Sequence, residues 1–208
     1  FYASYLAVTG LEHPGREDIL EQHESNWKTV LHSITGPIPG GADIWYQKHM
    51  AHHLRPEMMG DWLDAMSHVF LIRHPREMLP SLAQHIPKPA IEETGLPQQL
   101  ALFNRLRRNR GHVPIVIDSR DVLEDPSGML EMVCRELDLP FCDAMLSWPA
   151  GGRDSDGAWA PHWYHAVEES TGFTPWTPRE NAVPRELEDL CRRCCDIYEI
   201  LSAHRIRP

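Results

Sequence analysis

No stretch of this sequence approaches the roughly 20 consecutive apolar residues that cross a bilayer, and no basic segment runs into an apolar one to mark a secretory leader. Positive charge is also short: 20 Lys and Arg stand against 30 Asp and Glu, a formal net charge of −10. That balance argues against a general nucleic-acid surface. It leaves room for an anionic small ligand, because such a ligand feels a local field. Cysteines are few, and the odd five at 134, 142, 191, 194 and 195 offer no paired disulfide framework. Reduced thiols without a leader favour the cytoplasm. Missing too is the G-x-x-x-x-G-K-[ST] loop that cradles phosphates; Gly36-Pro37-Ile38-Pro39-Gly40-Gly41 is no substitute, since its two prolines remove backbone donors. Repeats and low-complexity segments are absent as well. The first residue is Phe1 rather than Met, so further residues are expected upstream.

What is present fits one α/β domain over 1–208, long enough for a single core. Its centre is Ser67–Gln84, SHVFLIRHPREMLPSLAQ. The run Val69–Ile72 is continuously apolar, the mark of a strand buried on both faces of a parallel sheet. Pro75 follows where a helix loses nothing by lacking an N–H. A strand running straight into a helix puts Arg73 at the carboxyl end of the strand, where open α/β sheets bind ligands. A plain ion pair of Arg73 with Glu77 or Asp64 is the competing reading. A second such strand, Pro114–Asp118, precedes a helix started by Asp125-Pro126, with Met129, Leu130, Val133, Cys134 and Leu137 as its apolar positions. Strand, helix, strand, helix predicts a parallel sheet with right-handed crossovers.

Around that frame the periodicity predicts a helical turn over Phe1–Val8 closed near Gly10, then one longer helix from Arg16 to Ile34. Ile44–Gln47 reads as a short strand delivering Lys48-His49-Met50-Ala51-His52-His53. Three histidines in five residues invite a zinc reading, but no acidic or cysteine ligand stands at a supporting spacing. A histidine at a strand end beside a lysine suits acid–base work near an anion; capping of the next turn is the structural alternative. Asp61–Met66 is a brief helix, and Ile86–Gly95, with Pro87 and Pro89, a loop or lid. Leu96–Arg110 is a helix whose basic tail suits its C-terminal dipole. Ser147–Gly157 is a flexible loop carrying Arg153. Pro184–Arg205 is a long terminal helix. There Leu187, Leu190, Cys191, Cys194, Tyr198 and Leu201 recur at helical spacing, which makes Cys191-x-x-Cys194-Cys195 core packing rather than a metal motif.

These segments resemble the PAPS-dependent sulfotransferases. SHVFLIRHPREMLPSLAQ is similar to the strand and helix that grip the 3′-phosphate of PAPS (3′-phosphoadenosine 5′-phosphosulfate), where a strand-end arginine and a serine eight residues on share that phosphate. Here these are Arg73 and Ser81. Val116–Pro126 resembles the family's Y-E-D-L…D-P segment. Gly152-Arg153…Gly157-Ala158-Trp159 is similar to its R-K-G-x-x-G-D-W loop, and Lys48-His49 to its K-x-H element, one residue shorter. More broadly, Phe1–Tyr164 resembles a bacterial sulfotransferase-like branch of the P-loop proteins.

The resemblance implies a three-layer α/β/α fold with a central, mostly parallel sheet of P-loop NTPase type. It implies PAPS as cosubstrate, no metal, and a small-molecule acceptor bearing a hydroxyl or amine, with neither nucleic acid nor membrane as partner. His49 would be the base, with His52 and His53 left as alternatives, Lys48 the cation, and Arg73, Ser81 and Arg153 the nucleotide clamp. The acceptor pocket would be built from the loop Pro87–Leu96 and Trp159, Trp163 and Trp176. The family's phosphosulfate loop would precede Phe1, so the domain would be incomplete at its N-terminus. A chain starting at Phe1 would then lack a central strand and expose strand edges prone to pairing. Three other readings remain: a catalytically inactive nucleotide- or partner-binding protein, a structural protein of the same fold, or a P-loop kinase relative with Asp118 holding Mg²⁺.

Overall fold

Val69–Ile72 (β1) and Ile115–Asp118 (β2) pair in parallel, Val69 opposite Ile115 through to Ile72 opposite Asp118. The structure is a computed structural model that describes residues 1–86, 88–153, 155–178 and 182–207; Pro87, assigned above to a loop, lies outside them. Beyond β2 the chain's last residues add a third rung. Arg205 forms a parallel bridge with Val116, and the Ile206 N–H donates to the Val116 carbonyl at 2.9 Å.

Ten helices accompany this sheet among the described residues. They are α1 (Tyr2–Thr9), α2 (Arg16–Gln22), α3 (Trp27–Ile34), α4 (Pro75–Leu82), α5 (Leu96–Arg110), α6 (Ser119–Glu124), α7 (Pro126–Glu136), α8 (Ala160–Trp163), α9 (His165–Glu168) and α10 (Glu188–Ser202). Short 3-10 turns join them at Ala51–His53, Asp61–Ala65, Ile91–Thr94 and Arg185–Leu187, among others. None of the described helices is long and apolar enough to cross a membrane. The fold is mixed α/β, mostly helical, with a small parallel sheet.

The reading of both strands as buried on two faces needs correction. Phe70, Ile72 and Val116 are buried, while Val69 and Leu71 are 38% and 55% exposed. Side chains alternate across a strand, and α5 and α10 cover one face only: Phe103, Leu106, Cys194, Tyr198 and Leu201 pack with Phe70, Ile72 and Val116 in one core cluster. Helix α7 also packs against β2, whose Ile115 and Ile117 are half-buried. Among the described residues no strand pairs with the other edge of β1, where the Gln99 side chain donates to the Leu71 carbonyl at 3.2 Å. The described sheet has two strands, smaller than that of the three-layer sandwich expected above.

Two further expectations change. The helix expected over Arg16–Ile34 is broken, because Asn26 accepts from the Lys28 N–H at 3.0 Å as the cap of α3, and Glu24 accepts from the Asn26 N–H at 2.6 Å. Such side-chain bonds to backbone compete with helix continuation. Ile44–Gln47 is not a strand: it has no pairing partner, and Ile44 and Tyr46 are exposed. The basic tail of α5 proves partly structural. Arg105 donates to the Gly60 carbonyl and Asp64, and Arg110 to the Met66 carbonyl, so both clamp the 60–66 turn. The cysteine reading holds: Cys191 and Cys194 are buried on α10.

One buried polar contact joins the sheet to α10. Asp118 ends β2, caps α6 by accepting from the Arg120 N–H at 2.8 Å, and accepts from the Tyr198 hydroxyl at 2.6 Å. Asp118 is 3% exposed. Replacing Tyr198 by Phe leaves a buried carboxylate oxygen unpaired, which costs about 1–3 kcal/mol. Urea unfolding of Tyr198→Phe is expected to show that loss at an unchanged m-value.

Candidate functional site

Helix α4 starts directly beyond β1, with His74 as its cap and Pro75 in its first turn. Arg73 therefore stands at the strand end and Ser81 in the last turn of α4. Arg73 is held by Glu77, Nε to Oε2 at 3.5 Å, which is the ion pair named above as the plain reading. Glu77 also accepts from the Trp176 indole N–H at 3.1 Å, and the Arg120 guanidinium lies 4.1 Å over the Trp176 ring. Beside this clasp is a cavity of about 360 Å³, lined among others by Glu77, Asp118, Arg120, Asp121, Glu124 and Arg205. Its four carboxylates outnumber its two guanidinium groups, and those are already paired, Arg120 with Glu124 and Arg205 with Asp121. Among the described residues, an anion finds no unpaired guanidinium in this lining. Each Asp118 oxygen accepts a hydrogen bond, one from the Arg120 N–H and one from the Tyr198 hydroxyl, so the strand-end aspartate named for a Mg²⁺-dependent kinase has a structural task here.

The segment carrying Lys48 and His49 runs without helix or strand pairing up to the Ala51–His53 turn. Its adjacent side chains diverge. Lys48 Nζ lies 5.2 Å from the centre of the Tyr164 ring, while the His49 ring packs 5.6 Å from Phe1. Gln47 shares the His49 side: its Oε1 lies 3.0 Å from His49 Nε2, and its Nε2 donates to the Ile34 carbonyl at 2.9 Å.

His52 and His53 face the other way, into an aromatic cluster. The His53 ring stacks on Tyr2 at 4.5 Å and 10°, and His52 meets His53 edge to face at 4.2 Å. Tyr5 packs against both. The Tyr2 hydroxyl bonds His13 Nδ1 at 3.0 Å, and His13 Nε2 lies 3.6 Å from Glu93, itself tied at Oε2 to the Ala90 N–H. Burial lowers the pKa of His13, His52 and His53, His52 to about 4, and the imidazoles around them add to the depression for His52 and His53. Burial lowers His49 in the same direction, and the Phe1 amino group and His68 add to it, while the residue remains exposed. Of the three histidines considered as base, His49 is the most exposed, His52 is half-buried and His53 is buried. Among the described residues no group of three or more His, Cys, Asp or Glu side chains is placed to hold a metal ion.

Arg153 sits exposed on its loop, its backbone N–H held by Asp156 at 2.8 Å, while the Gly151 N–H donates to Glu168 at 2.7 Å. The segment after it links the other parts. Trp159 packs on Tyr2 and His23 and donates to the Tyr164 hydroxyl at 3.2 Å, Tyr164 carries Lys48, and Trp163 meets His85 just past α4 at 4.6 Å. Trp159 thus lies beside Tyr2 and the His53 cluster, Trp163 beside His85, and Trp176 with Arg120 and Glu77. The structure unites Lys48 with Tyr164, and Arg73 with α4. Arg153 reaches the others only through this aromatic segment. Gln47, Tyr2, His13 and Glu93 escaped the sequence reading; an amide two residues from a histidine carries no pattern of its own.

A family profile described as sulfotransferase domain matches residues 1–205. Two Arabidopsis thaliana proteins are similar over 203 residues, or 98% of this chain: branched-chain-amino-acid aminotransferase-like protein 1, at 34% identity, and protein 2, at 30%. The chain spans 36% of the length of each. No solved structure matches.

The buried imidazoles set a pH dependence. Their folded pKa values lie below the unfolded value near 6.5, so the folded state binds fewer protons, and its stability is complete above that value. Stability is expected to fall as pH drops from about 6.5 toward 4, at up to about 1.4 kcal/mol per unit for each such group. Thermal unfolding across this window should show a shallower slope in His52→Gln than in the parent; equal slopes would count against buried neutral histidines as the cause.

Proposed function

Because the chain belongs to the sulfotransferase domain family, we propose that it transfers a sulfuryl group from PAPS to the hydroxyl or amine of a small-molecule acceptor, with His49 as general base. The observation that carries the assignment of the base is the exposed ring of His49 beside His52 and His53, which pack against Tyr5 and Tyr2. In this reaction the acceptor oxygen forms a bond to sulfur as the bond from sulfur to the 5′-phosphate oxygen breaks. The acceptor proton passes to the imidazole, and adenosine 3′,5′-bisphosphate leaves. Positioning and charge stabilisation carry most of such a loose transfer. Lys48 supplies positive charge toward the bridging oxygen, and the aromatic wall of Trp159, Trp163 and Tyr164 borders the acceptor. The loop Pro87–Leu96 completes that border in this reading.

Arg73 and Ser81 take the 3′-phosphate, with Arg153 closing from its loop. Glu77 is then a resident counter-ion that the phosphate displaces. A carboxylate swapped for a dianion leaves Arg73 better neutralised, and a bidentate guanidinium–phosphate contact is among the stronger hydrogen-bonded pairs. The 5′-phosphosulfate needs a loop of backbone donors at a helix start. In this reading that loop belongs to a strand laid on the free edge of β1, and the exposed Val69 and Leu71 support it as an apolar seat for the layer still required. On this reading the domain is a three-layer sandwich of the P-loop type.

Calorimetry of the intact protein with adenosine 3′,5′-bisphosphate tests the clamp. Arg73→Ala is expected to weaken binding by about 1.5–3 kcal/mol, and Ser81→Ala by less, whereas Glu77→Gln frees Arg73 and should tighten it. Unchanged affinity in all three variants would sink the nucleotide assignment at this strand end.

For the base, His49→Ala is expected to lower turnover about 10²–10⁴-fold with nucleotide affinity retained. Full turnover in His49→Ala, or its loss only in His52→Ala, would move the base elsewhere.

A further inference from the structure

We propose that Gln47 is a positioning residue for sulfuryl transfer: a side-chain strut that fixes the ring orientation and tautomer of His49, leaving Nδ1 as the proton-accepting atom. This rests on the reading of His49 as the base.

The argument starts at the end of α3. Ile34 is its last residue, and the final carbonyls of a helix have no partner within it. Gln47 supplies one, donating from Nε2 to the Ile34 carbonyl at 2.9 Å. A primary amide has donors only on its nitrogen and acceptors only on its oxygen. With the nitrogen committed to Ile34, the oxygen is the end that faces His49 Nε2, 3.0 Å away. An acceptor opposite a ring nitrogen demands a proton on that nitrogen, so Nε2 carries the hydrogen. The lone pair is then on Nδ1. The assignment follows from the bonding network, as amide and imidazole assignments generally must.

The strut matters because little else holds this segment. Residues 42–50 lack helix and strand pairing, so no ladder of backbone bonds fixes the ring. Phe1 packs against the imidazole at 5.6 Å, which restrains one side without choosing a tautomer. Gln47 does choose. A base held in one tautomer and one rotamer saves the cost of organising it at each turnover. Partners behind a functional imidazole set which nitrogen works, in the way described for ligating histidines.

Two substitutions in the intact protein separate orientation from mere capping. Neither Gln47→Leu nor Gln47→Glu can donate to Ile34, so both lose the cap on α3 and should show the same small drop in melting temperature. They differ at His49. The glutamate still accepts from Nε2–H, and its charge favours imidazolium, so Gln47→Glu should keep its plateau kcat while the acid limb of the pH–rate profile moves up by roughly one unit. Gln47→Leu should lose roughly 10-fold in kcat at unchanged affinity for adenosine 3′,5′-bisphosphate. Nitrogen-15 spectra of the His49 ring should show the Nε2–H form alone in the parent and in Gln47→Glu, and a mixture of tautomers in Gln47→Leu.

Equal kcat values in the leucine variant and the parent would overturn the proposal. A parent ring protonated on Nδ1, or losses in kcat that simply track the melting temperature in both variants, would do the same. If His49→Ala retains full turnover, the reading of His49 as the base fails instead. The nitrogen spectra need no turnover and then decide by themselves whether Gln47 orients the ring.

Discussion

The contact between Asp118 and Tyr198 is the constraint on which most of this architecture depends. A carboxylate buried to 3% exposure would be expensive if left alone. Here one oxygen accepts from the first turn of α6 and the other from the phenol of α10. The first bond decides where β2 stops and the chain turns. The second fixes how far along the sheet α10 can slide, and so where Leu201 and Cys194 meet Phe70 and Phe103 in the core. Burial and the neighbouring carboxylate push the Tyr198 hydroxyl up to about 12, so the phenol remains a donor throughout the range in which proteins fold. With Asp118 spent in this way, the carboxyl end of β2 has a structural task.

Polar groups are treated quite differently across the molecule. Around Tyr2 and Tyr5, three imidazoles are stripped of solvent and held neutral, and the bonds from Tyr2 through His13 toward Glu93 tie α1 to the turn before α5. Histidine serves there as a flat packing element with one polar edge. A few residues away His49 is exposed, with one ring nitrogen bonded to Gln47. The distinction lies in the turn at Ala51–His53, which rotates His52 and His53 inward and leaves the preceding extended stretch outside. The same residue type therefore packs the interior in one place and faces solvent in the other.

Much of this was legible from the residues. Local signals were the reliable ones: Gly10 closing α1, Pro75 and Pro126 opening their helices, and the cysteine stripe on α10 all act within a turn or two of the chain. Failures came where the answer depended on something distant. Val69 and Leu71 are as apolar as Phe70, so the run alone could not reveal that only one face is covered. The break before α3 arose from Glu24 and Asn26 outbidding the helix, a competition invisible to periodicity. At the candidate site, Arg73, Ser81, Lys48 and His49 were singled out from the residues and the resemblance, and the Arg73–Glu77 pair was legible because the two stand one helical turn apart. Gln47 and Tyr164 matter through geometry, and the latter lies more than a hundred residues from the lysine it meets.

The rung between Val116 and the Arg205–Ile206 end has a consequence for biosynthesis. A ribosome makes β1 and β2 first, and the strand position beside Val116 stays vacant until Arg205 and Ile206 have been made. The same is true of α10, whose arrival seals the inner face of the sheet. The nascent chain thus carries an unfinished sheet while the residues between β2 and α10 are added, and closes it in one step that joins distant parts of the chain. Quality control acting on this protein would meet it mainly in that interval, and a ribosome that stalls within the final helix would release a chain with its core still open.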